Sequence, residues 1–207
     1  TTKVMTEQND LIVPINLGVI GYGFVGQAVA NGFNTASNGK DKILWYDKFK
    51  EGLSLKEVID QSEFVFICLP TPMKNVEGGE IDLSIIDEIL KKIDKAVKGK
   101  TIVIKSTVVP GTTDCFANKY KNNYFLVNPE FLTARNANLD FIQSSRIIIG
   151  TPKKTPRKIT EKFIELQRER FLATPIVDTD ARTAEFIKYM ANCYFATKIT
   201  LNKLNIK

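Results

Sequence analysis

Three glycines and one acid carry the first chemical signal in this chain of 207 residues. In GVIGYGFVGQAVANGF, Gly21, Gly23 and Gly26 stand as G-x-G-x-x-G where a strand-like run gives way to a helical pattern. Gly21 permits a tight turn, Gly23 lets the backbone approach a pyrophosphate, and Gly26 allows close packing; the helix start, with Phe24 and Val25, turns its NH groups to the anion. Asp47 follows 21 residues after Gly26, at the end of KILWYD, where an acid accepts ribose hydroxyls. Together they predict a dinucleotide site. Asp47 repels a 2′-phosphate, so NAD is expected over NADP, a preference that Lys48 and Lys50 moderate.

A second set of polar residues follows the apolar runs. EFVFICL is followed by Pro70, Thr71 and Pro72, TIVIK by Ser106 and Thr107, and YFLV by Asn128, Pro129 and Glu130. In open parallel sheets ligands sit beyond the carboxyl ends of the strands, which puts Pro70, Thr71, Ser106 and Thr107 beside the cofactor. Capping and turn-making are the competing uses of the threonines, and Thr112 after Pro110 and Gly111 makes a good helix start. Glu130, next to Phe131 and Leu132, is a general-base candidate because an acid among apolar neighbours is poised to change its protonation. Near the end, AEFIKYMANCYF sets Lys188 and Asn192 one helical turn apart on a largely apolar helix.

These residues need elements to hold them. Short β-branched runs alternate with helical stretches: INLGVI, a helix from about Phe24, KILWY, EFVFICL, a helix near Ser84 to Val97, TIVIK, a helix after Pro110, YFLV and RIIIG. Such alternation predicts an α/β fold, a doubly wound parallel sheet with helices on both faces. FVFIC and TIVIK are apolar on both sides, as strands buried on both faces require. The one plausible boundary lies near Ala173 to Thr179, where a last short strand precedes the closing helix.

Composition narrows the class. The net charge of +6 is spread over the chain, with one denser run, PKKTPRK, that lacks interleaved aromatic residues and is expected as a solvated loop rather than a nucleic-acid patch. No window approaches the roughly 18 apolar residues of a membrane span, and TTKVMTEQND is too polar for a signal peptide, so a cytoplasmic address is expected. With no histidine and with Cys68, Cys115 and Cys193 in no metal-like spacing, no metal site is expected. The three thiols are expected reduced and mostly buried.

GYGFVG, CLPTPM, KSTVVPGTT, VNPEFL and AEFIKYMAN, in that order and at these separations, resemble the N-terminal part of the UDP-glucose dehydrogenase family of nucleotide-sugar dehydrogenases. The resemblance covers nearly all of the chain from about Asn16 onward. It implies a Rossmann-like NAD-binding domain, residues 1–179, followed by the start of a long central helix, residues 180–207, through which a homodimer or larger assembly forms. It also implies a nucleotide-sugar substrate whose C6 alcohol is oxidised twice, UDP-glucose to UDP-glucuronate, through a thioester on a cysteine. By motif, Thr107 resembles the threonine that orders the catalytic water, Glu130 the acid of thioester hydrolysis, and Lys188 and Asn192 the pair that stabilises oxyanion character at C6. An ammonium and an amide at i and i+4 share a helix face, so both reach one developing charge. Two departures stand out: Ala134 replaces the second acid of NPEFLxEG, and nothing matches the downstream G-rich C-F-x-K-D segment that carries the nucleophile. The expectation is an N-terminal portion of a UDP-glucose 6-dehydrogenase-like enzyme lacking its UDP-binding half. GDP-mannose or a UDP-N-acetyl sugar are the alternative substrates, and a non-catalytic NAD-binding, dimer-forming module is the alternative of another class.

Overall fold

Strands and helices alternate through a computed structural model that describes residues 12–75, 79–133 and 135–204. In chain order they are β1 (Asn16–Ile20), α1 (Phe24–Ala36), β2 (Lys42–Tyr46), α2 (Leu55–Gln61), β3 (Phe64–Ile67), α3 (Ser84–Ala96), β4 (Thr101–Ile104), α4 (Thr112–Lys119), β5 (Tyr124–Val127), α5 (Ala137–Ile142), β6 (Ile147–Thr151), α6 (Arg157–Arg170), β7 (Ile176–Asp180) and α7 (Ala181–Leu204). The strands form one sheet in the order β2-β1-β3-β4-β5-β6-β7. The chain leaves β1 toward β2 and then returns to β1's other side as β3. That reversal opens a crevice beyond the carboxyl ends of β1 and β3.

The apolar runs alternate in what they bury. Phe64 and Phe66 of β3 enter one core while Val65 and Ile67 enter the other, and β4 divides Val103 from Ile102 and Ile104 in the same way. One core is roofed by Val58 of α2, Ile86 and Leu90 of α3, Phe116 of α4 and Ala184 of α7. Val29 and Phe33 of α1 and Phe163 and Leu166 of α6 cover the opposite face, with Phe141 of α5 packed beside them. This is the doubly wound arrangement, and it makes the central strands rigid supports for the loops at their carboxyl ends.

The sheet departs from the expected parallel order at one side. β1 to β5 are parallel to their neighbours, but β6 pairs with β5 antiparallel through Val127 and Gly150, and β7 runs parallel to β6. An antiparallel neighbour needs no crossover to the far end of the sheet. Asn128 Nδ2, just past β5, donates to the Ile148 carbonyl at 2.7 Å, so β6 begins where β5 ends. Because β7 then finishes at the far end, α7 must climb back toward the crevice. From Ala181 to Lys188 it rises roughly 10 Å, about the length of the four-residue strand β5. Gly150 lets it do so closely: a Cβ there would lie 2.6 Å from Ala184 Cβ and 2.5 Å from Val127 Cγ1.

Two smaller expectations change. Only the start of PKKTPRK is a turn, because Arg157 and Lys158 open α6, whose Phe163, Ile164 and Leu166 bury one face despite its charge. Of the thiols, Cys68 is half-buried, whereas Cys115 on α4 and Cys193 on α7 are exposed. Among the described residues no helix is long and apolar enough to cross a membrane.

Candidate active site

At the end of β1 the chain turns at Gly21, whose φ of +90° is a region that disfavours side chains and whose added Cβ would meet the Cys68 carbonyl at 2.6 Å. Gly26 is packed from below: a Cβ would lie 2.0 Å from the Gly21 carbonyl oxygen. Gly23 differs, with nothing beyond its immediate chain neighbours within 4 Å of where its Cβ would stand. Its openness faces the crevice, and it is the N-cap of α1 without any side-chain cap and with no acid in the first turn. The NH groups of that helix start are therefore free for an anion.

The turn is braced by the next strand. Gly21 NH donates to the Tyr46 carbonyl at 2.9 Å. Asp47 accepts from Tyr22 NH at 2.8 Å and from Phe49 NH at 2.9 Å. Lys50 donates to the Tyr22 carbonyl at 2.6 Å and lies over the Tyr22 ring, which stacks on Trp45 at 4.3 Å. Lys50 is thus committed to the turn, while Lys48 remains exposed at the rim.

Beyond the strand ends lies a cleft of about 590 Å³, a size suited to a nucleotide cofactor. Gly21, Gly23, Phe24, Val25, Asp47, Lys48, Pro70, Thr71, Ser106, Thr107 and Glu130 all line it. Gly26 is the one predicted cofactor residue beneath it rather than on it. Two hydrogen bonds tie the strand-end loops together: Thr71 Oγ1 donates to the Thr107 carbonyl at 2.8 Å, and Ser106 Oγ to the Leu69 carbonyl at 2.7 Å.

At the β5 end, Lys188 comes down from α7 to place Nζ 3.1 Å from Glu130 Oε1, with both side chains nearly buried. The same ammonium lies 5.4 Å from the centre of the Phe131 ring. A carboxylate and an ammonium held out of water at the mouth of a cleft can exchange a proton with a ligand and meet negative charge on its oxygen. Asn192, one turn further along α7, is exposed. Ala134 lies outside the described residues.

Two site residues were not singled out from the sequence. Lys105, counted there as the last residue of TIVIK, is buried, donates to Asn128 Oδ1 at 2.8 Å and lines the cleft. Burial holds its ammonium down at about 8, with Lys188 pushing the same way. Burial also pushes the neighbouring Cys68 thiol up to about 12, which makes it a poor nucleophile. Glu185 is the other. It accepts from Gly111 NH at 2.5 Å, Thr113 NH at 2.8 Å and Thr113 Oγ1 at 2.6 Å, so α7 caps α4 with a buried carboxylate. Desolvation raises that carboxyl above its ordinary range, against the pull of these bonds. The lysine after an apolar run was a legible signal; the partner of Glu185 was not.

The family description "UDP-glucose/GDP-mannose dehydrogenase family, NAD binding domain" matches residues 41–167, more than half of the chain. The chain belongs to this family. UDP-glucose 6-dehydrogenase of Rickettsia bellii is 37% identical over 163 residues, covering 76% of this chain and 37% of the relative. GDP-mannose 6-dehydrogenase of Pseudomonas aeruginosa is 33% identical over 159 residues, covering 70% and 35%. The chain thus spans about a third of the length of these relatives. The fold is shared with a UDP-glucose dehydrogenase structure from Pyrobaculum islandicum, at a TM-score of 0.77 and 22% identity over 91% of this chain and 51% of that one. NAD is the cofactor of this family's domain, and the open Gly23, the uncapped α1 and Asp47 fit it. Within this nucleotide-sugar dehydrogenase family, Gly21, Gly23, Gly26 and Asp47 are the residues that would hold pyrophosphate and ribose.

Proposed function

We propose that the chain is the NAD-binding, C6-oxidising part of a UDP-glucose 6-dehydrogenase, with residues 1–179 as the cofactor domain and α7 as the start of a helix leading to the rest. The observation that carries this reading is the Lys188–Glu130 pair, 3.1 Å apart and set where the cofactor cleft ends. Bound NAD supplies the hydride acceptor. Glu130 takes the proton released from alcohol or water, Lys188 meets the negative charge developing on the C6 oxygen with Asn192 one turn behind, and Thr107 orders the attacking water. Ser106, Thr71 and Pro70 shape the wall on which the cofactor lies.

The same pair suits GDP-mannose as well as UDP-glucose, since both present a C6 alcohol. A covalent route also needs a thiolate at that carbon, and Cys68 is a thiol held neutral by burial. The 207 residues by themselves are therefore expected to bind NAD without turning over UDP-glucose. The test is to assay NADH formation from UDP-glucose and GDP-mannose by the chain alone and by a fusion carrying the remaining length of the Rickettsia bellii relative. The proposal expects none from the chain, UDP-glucose oxidation from the fusion, and its loss in Lys188→Met without loss of NAD binding. Two NADH per sugar from the chain alone, or undiminished turnover in Lys188→Met, would contradict it.

A further inference from the structure

We infer that Lys105 sets the preference of the cleft between the two redox forms of its cofactor, the buried ammonium disfavouring the positively charged oxidised nicotinamide relative to the neutral reduced one. The inference rests on the NAD assignment and adds a role for a residue outside the Glu130 and Lys188 pair.

A dinucleotide straddles the crevice at the switch point. With its pyrophosphate held at the Gly23 turn and its adenosine ribose at Asp47, its other nucleotide would extend toward the ends of β3, β4 and β5, whose residues line the rest of the cleft. Lys105 lines the cleft there, 5% exposed. Its direct partners are uncharged: the Asn128 amide oxygen at 2.8 Å and the Phe141 ring, whose centre is 5.2 Å away. The nearby carboxylate offsets it only in part, because Glu130 is paired with Lys188. Two ammonium groups therefore share one carboxylate, and Arg146 adds a further positive charge at the small cavity that Lys105 and Glu130 also line.

Both redox forms carry the same pyrophosphate, so this positive balance acts on their difference, the ring charge. Unit charges several Å apart in a partly desolvated site interact strongly enough to shift relative affinity by roughly three- to tenfold. The bound equilibrium is drawn toward the reduced form, the direction an alcohol oxidation requires.

The groups facing Lys105 are Cys68 after β3, Glu130 after β5, Lys188 on α7 and Arg146 before β6. Cys68 stays a neutral thiol up to about 12, whereas Lys105 loses its proton at about 8. Below that pH the ammonium is present and the oxidised cofactor is penalised; above it the penalty is relieved.

Dissociation constants of NAD⁺ by calorimetry and NADH by fluorescence, measured on the 207-residue chain at about pH 7 and about pH 9, test this. The ratio Kd(NAD⁺)/Kd(NADH) is expected to fall by roughly three- to tenfold between them. In Lys105→Met it should be low and flat, and in Lys105→Arg high and flat. A ratio that does not change in the unmodified chain, or a fall that persists in Lys105→Met, overturns the inference. Failure to bind either form overturns the cofactor assignment with it, which a flat ratio does not. The unmodified chain alone decides the question if a variant does not fold.

Discussion

The three glycines of the turn have different duties, and single methyl groups separate them. Gly23→Ala places its methyl in open space, so folding stability should change by no more than about 0.5 kcal/mol, the range of surface substitutions. The same methyl stands where a pyrophosphate would approach, and NAD affinity should fall tenfold or more. Gly26→Ala drives a methyl to 2.0 Å from the Gly21 carbonyl oxygen and should cost about 1 to 3 kcal/mol. Denaturant midpoints read beside NAD titrations check both; equal stability losses in the two variants would count against this division. Lys105 gives a pH signature. Its proton is lost at about 8 in the fold but at about 10.5 ordinarily, so between those values the unfolded chain binds more protons and native stability rises with pH. Relative to Lys105→Met, the unmodified protein should gain stability across that window, by on the order of 3 kcal/mol in all. Parallel curves for the two proteins would refute the buried charge.

At the scale of elements, α7 is delivered to the site by the reversed strands and held by small residues and one acid. Gly150→Ala pushes Ala184 and Ala181 away and should destabilise by about 1 to 3 kcal/mol. Protection from hydrogen exchange at Gly111 and Thr113, whose amides donate to Glu185, should be lost with it. Unchanged protection would mean that α7 is docked by other contacts. The glycine turn and the strand-end residues were legible in the sequence because each depends on a few neighbouring residues and on periodicity. The reversal of β6 and β7 was not, since strand direction is fixed by Asn128 reaching Ile148 and by packing across the sheet. Nor was Glu185, whose partners lie 72 and 74 residues away. α6 was hidden by its charge, with Phe163, Ile164 and Leu166 as the apolar part of a buried face that also takes in Thr160, Gln167 and Arg170 of RKITEKFIELQRER. Lys188 and Glu130 were both identified, yet their direct pairing depends on the climb of α7, which no local pattern reveals.

At the scale of the whole molecule, α7 divides along its length. Ile187 packs on the core, while Phe186, Met190, Tyr194, Phe195, Ile199 and Leu201 are each more than half exposed. An apolar face of that extent favours association, so the chain should form dimers or larger species through α7, and Tyr194→Glu with Ile199→Glu should shift light scattering toward the monomer. A monomer at high concentration in the unmodified chain would remove that expectation. The central claim is that the crevice between β1 and β3 holds NAD with Asp47 on the ribose. Calorimetric titration of the 207-residue chain with NAD and NADP, repeated on Asp47→Ala, tests it most directly. One site per chain, tighter for NAD than for NADP, with the difference narrowed in Asp47→Ala, is the predicted result; equal dissociation constants for the two dinucleotides, or no binding of NAD, would contradict it.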